Sequence, residues 1–286
     1  KVSAVVFDKT NTLTEAGLDL LGVQAARQGS EPVFLGLEGS LDGLVAVTTA
    51  ATDAADGLSV VSALATCHSL HVVDGALVGD PLEAKMLEFT GWRIDEGGLA
   101  PGSGSGMAPS MMVYPPGTKC TDPVLSGSVV DMQLAGAAGA ASDAPGRAYP
   151  GGLEVARVFE FASELRRSSV VVRHPYSSSA QVYAKGAPET IRELCVASTV
   201  PADVDQAVER YTQGGYRVIG LAGRRIDLSP GDTGRLERAV AERDLVFMGL
   251  LVFENRLKPA TAGVLRELRD ADIRLLMCTG DNPLTA

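Results

Sequence analysis

Asp8 is the residue best placed to do chemistry. The apolar run Ala4–Phe7 ends at it, and the polar residues Lys9, Thr10, Asn11 and Thr12 follow without a break. A short, uninterrupted apolar run reads as a buried parallel strand. In open α/β sheets, ligands sit beyond the carboxyl ends of such strands, which is where Asp8 falls. A carboxylate there can attack a phosphoryl group and share Mg²⁺ with it. Taken alone, an Asp in this place reads first as an acidic residue opening a turn after a strand. Lys185-Gly186 is a second candidate: an ammonium at a strand end offsets phosphate charge, and a neighbouring glycine lets a nucleotide approach. Read blandly, it is a strand-to-helix turn with Pro188 at the first helical position.

The elements that must position these groups follow from pattern. Ala16–Gln24 reads as extended, and Gly36–Gly57 is weakly patterned. Leu58–Leu70 has helical apolar spacing, and His71–Val78 predicts a hairpin about Asp74-Gly75. Asp80 as cap and Pro81 at the first position predict a helix to about Thr90, closed by Gly91. From about Gly97 to Gly152, Gly, Ser, Ala and Pro dominate, which predicts a disordered surface insertion with an ordered island at Met111–Pro116. Val155–Phe161, Ser169–Arg173 and Ala180–Ala184 read as antiparallel strands. Pro188–Cys195 and Asp203–Gln213 read as helices, and Tyr216–Arg224 and Val246–Phe253 as strands. The helix Pro259–Asp270 and the strand Ile273–Cys278 complete the chain, ahead of Thr279-Gly280-Asp281-Asn282. Strand–helix–strand logic at both ends around an antiparallel middle predicts one α/β domain split by an inserted α+β domain.

Composition narrows the classes. The chain has 286 residues and a formal net charge of −10, so a nucleic-acid partner held through phosphates is not expected. Cys67, Cys120, Cys195 and Cys278 lack metal-ligand spacing and read as isolated, mostly buried thiols of a reducing compartment. No apolar run approaches the ~18–20 residues that span a bilayer, so direct membrane contact is not expected. The absence of an initiator Met reads as a piece of a longer protein.

Asp8-Lys9-Thr10-Asn11-Thr12-Leu13-Thr14 resembles the phosphorylation motif of P-type ATPases, Asp-Lys-Thr-Gly-Thr-Leu-Thr, with one departure. Related haloacid-dehalogenase phosphatases carry a second Asp, the acid and base of hydrolysis, where this chain has Thr10. The resemblance therefore implies an aspartyl-phosphate that persists, with Asp8 as acceptor and Asp8 and Thr10 at Mg²⁺. Asn11 replaces the family's Gly. If the site needs the left-handed region, Asn is the next most tolerated residue; if it needs a Gly-only conformation, Asn11 impairs it.

Other blocks resemble the same family in order, over nearly the whole chain outside the insertion. Lys185-Gly186-Ala187-Pro188-Glu189 is similar to the nucleotide-binding KGAPE signature. Phe159-Glu160-Phe161-Ala162 is similar to Phe-x-Phe-Ser/Ala, which implies that Phe161 stacks on adenine; read alone, both are core aromatics. Arg166 and Arg167 meet phosphates or are solvated charge. Glu83 matches an acidic residue on the adenine side, against a solvated helix face, and Arg217 matches an Arg that reaches phosphates. Lys185 and Arg217 are expected to offer exposed charge. Thr279-Gly280-Asp281 resembles the loop that approaches the γ-phosphate opposite Asp8. Residues 65–70, 79–92, 254–259 and 277–282 resemble the type V, B subgroup, with Ser168 where the subgroup has Met.

The resemblance implies a fold and a role. A partial haloacid-dehalogenase-like, Rossmann-type phosphorylation domain (1–20 and 246–286, truncated) is split by an α+β nucleotide-binding domain (21–245) with an antiparallel sheet. ATP and Mg²⁺ are the expected cofactors, and the transmembrane and actuator domains of the same polypeptide the expected partners. The activity implied is ATP hydrolysis coupled to cation or polyamine transport, at the cytosolic face of an endosomal or lysosomal-type membrane. The chain by itself is expected not to turn over ATP. The alternatives are a nucleotide-binding module disabled at Asn11, and a soluble haloacid-dehalogenase-type phosphatase.

Overall fold

The computed structural model describes residues 2–15, 17–50, 58–95, 111–117, 152–174, 179–228 and 230–279. The expected insertion 97–152 lies outside them except for 111–117 and its last residue. Thirteen strands form among the described residues: β1 Ala4–Asp8, β2 Asp19–Arg27, β3 Val33–Glu38, β4 His71–Val73, β5 Ala76–Val78, β6 Arg93–Asp95, β7 Met111–Tyr114, β8 Leu153–Ala162, β9 Arg167–Arg173, β10 Ser179–Gly186, β11 Arg217–Asp227, β12 Val246–Glu254 and β13 Arg274–Cys278. The α-helices are α1 Leu41–Ala50, α2 Val60–Thr66, α3 Pro81–Thr90, α4 Pro188–Leu194, α5 Val204–Gln213, α6 Arg238–Ala241 and α7 Thr261–Asp270.

Local chemistry accounts for the elements nearest the site. The Asp80 side chain accepts from the Leu82 amide at 2.8 Å, Pro81 opens α3, and Gly91 ends it at φ 65, a left-handed cap that a Cβ would strain. Asp74 and Gly75 turn the β4–β5 hairpin at φ 52 and 77, as a two-residue hairpin loop requires. The expected ordered island at Met111–Pro116 holds β7, which pairs between β8 and the edge strand β6. The weakly patterned segment Gly36–Gly57 contains the end of β3 and all of α1. The Ala, Thr and Gly content of α1 blurs its helical spacing, and β3 is fixed by pairing with β2.

Nine strands form one antiparallel sheet in the order β3-β2-β12-β11-β10-β9-β8-β7-β6. One core joins α2 and α3 to it through Leu64, Met86, Trp92, Tyr183 and Phe253. A second gathers Ile191, Val204, Leu245 and Phe247 beneath α4 and α5. β1 and β13 form a separate parallel pair. β12, which begins at the boundary expected at 246, hydrogen-bonds between β2 and β11 within the large sheet. Gly249 makes the approach possible, since a Cβ on it would stand 2.4 Å from the Gln24 carbonyl oxygen. The apolar run Val246–Phe253, read as a strand, is an inner strand of an antiparallel sheet; burial on both faces produces the same pattern in parallel and antiparallel strands.

The segments joining the parallel pair to the large sheet run side by side. Thr14 bridges Leu257, the Glu15 amide donates to the Arg256 carbonyl at 2.7 Å, and the Lys258 amide donates to the Leu13 carbonyl at 3.1 Å.

Candidate functional site

The candidate residues fall in two places. At the first, Asp8 closes β1 in register with Cys278 of β13. Asp8 and Thr279 therefore leave parallel strands about 5 Å apart. Gly280 and Asp281 lie outside the described residues. Lys9–Leu13, including Thr10, wind into a single π-helical turn, with Asp8 exposed at its start and its side chain not capping it.

Asn11 stands at φ 64, in the left-handed region that Asn tolerates, so the backbone here does not demand glycine. The turn is held from across the chain. Lys258 donates its Nζ to the Asn11 carbonyl at 2.6 Å, and Thr261 donates its hydroxyl to the Leu13 carbonyl at 2.6 Å. Buried Thr14 accepts the Asn11 amide at 3.3 Å and donates to the Lys9 carbonyl at 3.3 Å. The segment 254–259 stood out in the sequence as a subgroup signature; in the fold it is the clamp on this turn.

The second place spans β8, β9 and β10. Lys185 lies opposite Ser168. The β8–β9 register advances from Phe159–Ser169 to Ala162–Arg167, which leaves Glu160 and Phe161 together opposite Ser168 as a bulge. Phe161, Ser168 and Lys185 thus lie in one row, spanning about 10 Å of sheet. Phe161 is 63% exposed, whereas Phe159 is 9% exposed and packs into the core. A bulge re-aims a side chain, and here it separates two aromatics that alternation alone would treat alike.

Glu83 and Lys185 meet as a buried ion pair. Lys185 Nζ stands 2.7 Å from Glu83 Oε1 and also donates to the Cys67 carbonyl. Glu83 Oε2 accepts the Ser69 amide at 2.8 Å and the Ser69 hydroxyl at 3.0 Å. The two residues are only 6% and 7% exposed. Burial alone would push the Glu83 carboxyl up, but the Lys185 ammonium and the Ser69 bonds outweigh it and hold it below the ordinary carboxylate value. The exposed charge expected of Lys185 and the solvated helix face considered for Glu83 are both corrected. Residues 102 positions apart in sequence neutralise one another beneath the sheet surface, and sequence pattern carries no such contact.

The arginines divide. Arg167 gives its Nε to Glu242 at 2.6 Å, and Ser169 and Arg238 fill the other Glu242 oxygen at 2.6 and 2.8 Å. Glu242 is 2% exposed, so the Nε of Arg167 is committed to a buried carboxylate rather than being solvated charge. Arg166 has the unusual φ of 51 and pairs with Glu189 at 2.6 Å with both side chains more than half exposed; solvent leaves such a pair worth little. Its carbonyl accepts the Ala187 amide at 3.0 Å, and a Cβ on Gly186 would stand 2.4 Å from that oxygen. Gly186 therefore lets the 163–166 turn close onto the 185–189 turn. Arg217 is exposed at the first residue of β11, three residues before the Gly220 that faces Gly186.

A groove of about 340 Å³ lies on α4 and α5, lined by Pro188, Val204, Val208 and charged neighbours, and none of the candidate residues lines it. Cys67 is buried, with its thiol pushed up by burial to about 11, while Cys278 is exposed, against the expectation of burial. Among the described residues no helix is long and apolar enough to cross a membrane.

A mixed α/β chain with a large antiparallel sheet is consistent with the P-type ATPase nucleotide-binding domain. Residues 152–260 match the family model "P-type ATPase, cytoplasmic domain N". The chain belongs to the P-type ATPases. Over its whole length it is 38% identical to the vacuolar cation-transporting ATPase YPK9 of Saccharomyces cerevisiae, 37% to the probable cation-transporting ATPase 13A5 of Mus musculus and 36% to the polyamine-transporting ATPase 13A2 of Mus musculus. It spans about a fifth of the length of these relatives (20%, 20% and 21%).

Proposed function

We propose that this chain binds ATP on the β8–β10 row and accepts its γ-phosphoryl group at Asp8, as the cytosolic part of a membrane pump. The observation that carries the reading is the row itself: an exposed Phe161, aimed outward by a bulge, and a Lys185 buried in an ion pair with Glu83. Phe161 offers a stacking face, Glu83 and Lys185 floor the base end, and the exposed Arg166 and Arg217 supply positive charge for the phosphates.

Asp8 is an exposed carboxylate that does not cap its own turn, so its oxygens suit both attack on phosphorus and a hard cation. Mg²⁺ needs few protein ligands when phosphate oxygens supply the others. With Asp8 and Thr10 holding it, the ion would neutralise charge on the transferring group. The left-handed φ at Asn11 favours a competent turn over a disabled binding module.

Residues around β1 and β13 are assigned to a haloacid-dehalogenase-like phosphorylation domain, and residues from about 18 to 254 to an inserted nucleotide-binding domain. Val6 and Leu276 on the parallel pair are 61% and 48% exposed, and parallel sheets are ordinarily covered on both faces. Further elements of that domain would cover them. The names of the relatives support ATP-driven transport of a cation or polyamine, and the vacuolar name of one supports an endolysosomal-type membrane.

Binding of ATP to the 286-residue chain is expected to be weak, with Kd on the order of 0.1–1 mM. Phe161→Ala should weaken it about tenfold, through loss of stacking worth roughly 1–3 kcal/mol, and should leave the melting temperature within about 1 °C because little of the ring is buried. Isothermal titration and thermal melts on one preparation decide this. A large fall in melting temperature with unchanged affinity would show Phe161 to be a packing residue and defeat the adenine assignment.

A further inference from the structure

The Glu83–Lys185 pair is itself held by the turn that follows α2. After α2, Cys67 caps the helix with φ −79 and ψ 68 and turns its carbonyl to Lys185 Nζ. Two residues later, the Ser69 amide and hydroxyl converge on Glu83 Oε2 at 2.8 and 3.0 Å. His68 sits between them, 1% exposed. Its Nδ1 accepts the Leu70 amide at 3.3 Å, and its Nε2 lies 3.0 Å from the Ala65 carbonyl. An amide can only donate and a carbonyl can only accept, so the ring is the neutral Nε2–H tautomer. Burial, then the Lys185 ammonium, push it down to about 4, and it stays neutral near pH 7. The ring ties the turn back to α2, so that one carbonyl and one amide face the same ion pair.

We propose that Ser69 is a positioning residue for the nucleobase end of the site, holding the Glu83 carboxylate and, through it, the Lys185 ammonium, in the arrangement that tells adenine from guanine nucleotides. This rests on the reading that the β8–β10 row binds ATP. A carboxylate held on one oxygen by two donors cannot rotate, and its other oxygen then fixes the ammonium. Hydrogen bonds to a charged acceptor are the stronger kind, and recognition by a buried polar edge degrades steeply when that edge is misplaced. Ser69 is only partly buried and lies outside the apolar core, so loss of its hydroxyl leaves packing intact and keeps the backbone amide bond to Glu83.

Titration of the 286-residue chain with ATP and GTP, on wild type and on Ser69→Ala, Ser69→Thr, Glu83→Gln and the Ser69→Ala/Glu83→Gln double variant, tests this. Ser69→Ala is expected to weaken ATP about three- to tenfold and to lower the ATP-over-GTP preference by a similar factor. Ser69→Thr, which keeps the hydroxyl, should return both to within about twofold. On the Glu83→Gln background, Ser69→Ala should change either Kd by less than about twofold, since residues acting as one unit are not additive. Wild-type affinity and base preference in Ser69→Ala, or a fall in melting temperature alone, overturn the proposal and leave the site standing. Failure of the wild-type chain to bind ATP at millimolar concentration overturns the site and the proposal together.

Discussion

Replacement of Asp8 by Asn is expected to abolish acid-stable ³²P labelling of the full-length protein by [γ-³²P]ATP, while leaving the ATP affinity and melting temperature of the 286-residue chain unchanged. Asn is nearly isosteric but cannot form the acyl phosphate, because its amide has neither the charge nor the nucleophilic oxygen of the carboxylate. Stability should not suffer: Asp8 is exposed and its side chain caps nothing, and exposed substitutions away from special features stay within about 0.5 kcal/mol. Asn11→Gly should label at least as well as wild type, since glycine also adopts φ 64 readily. Label surviving in Asp8→Asn would move the acceptor elsewhere. Label absent from the wild-type protein, but gained in Asn11→Gly, would revive the disabled-module reading.

The second large effect is on stability. Lys185→Ala leaves Glu83 as a carboxylate 6% exposed and without its counter-ion. Breaking such a pair from one side costs about 3–5 kcal/mol, which lowers the melting temperature on the order of 10 °C for a chain of this size. The Lys185→Met/Glu83→Gln double variant should recover most of the loss, because no charge is then stranded. The pH dependence follows from the direction of the Glu83 shift. Its folded value is depressed, so the wild-type contribution is present above the ordinary carboxylate value and is lost as pH falls through the lower, folded one. In Lys185→Ala the sign turns over: burial without the ammonium raises the carboxyl, and lowering the pH towards 5 should stabilise the variant. Thermal melts from pH 4 to 8 on the two proteins measure this. Equal melting temperatures would show the pair to be solvated rather than buried. Raised ionic strength should leave the wild-type pair nearly untouched, because salt screens exposed charge far more than buried charge.

Much of this was legible in the chain before folding. The α3 boundaries follow from Asp80, Pro81 and Gly91, and the hairpin from Asp74-Gly75, because caps and turns are local and each residue carries its own reason. The polar break after Phe7 located Asp8, because a strand end needs no distant partner to be recognised. The family was likewise readable, since blocks of side chains in order are a property of the sequence. The fold alone decided three other things. It placed β12 in the middle of the antiparallel sheet, since an apolar run buried on both faces looks the same in either kind of sheet. It separated Phe159 from Phe161 by a bulge, which depends on register with β9. It also brought Glu83, Ser69, Cys67 and Lys185 together beneath the row and spent Arg167 on Glu242. Sequence shows that these side chains are ionisable, but only packing decides which charge meets water and which meets its opposite, because desolvation is set by neighbours that the chain brings from far away.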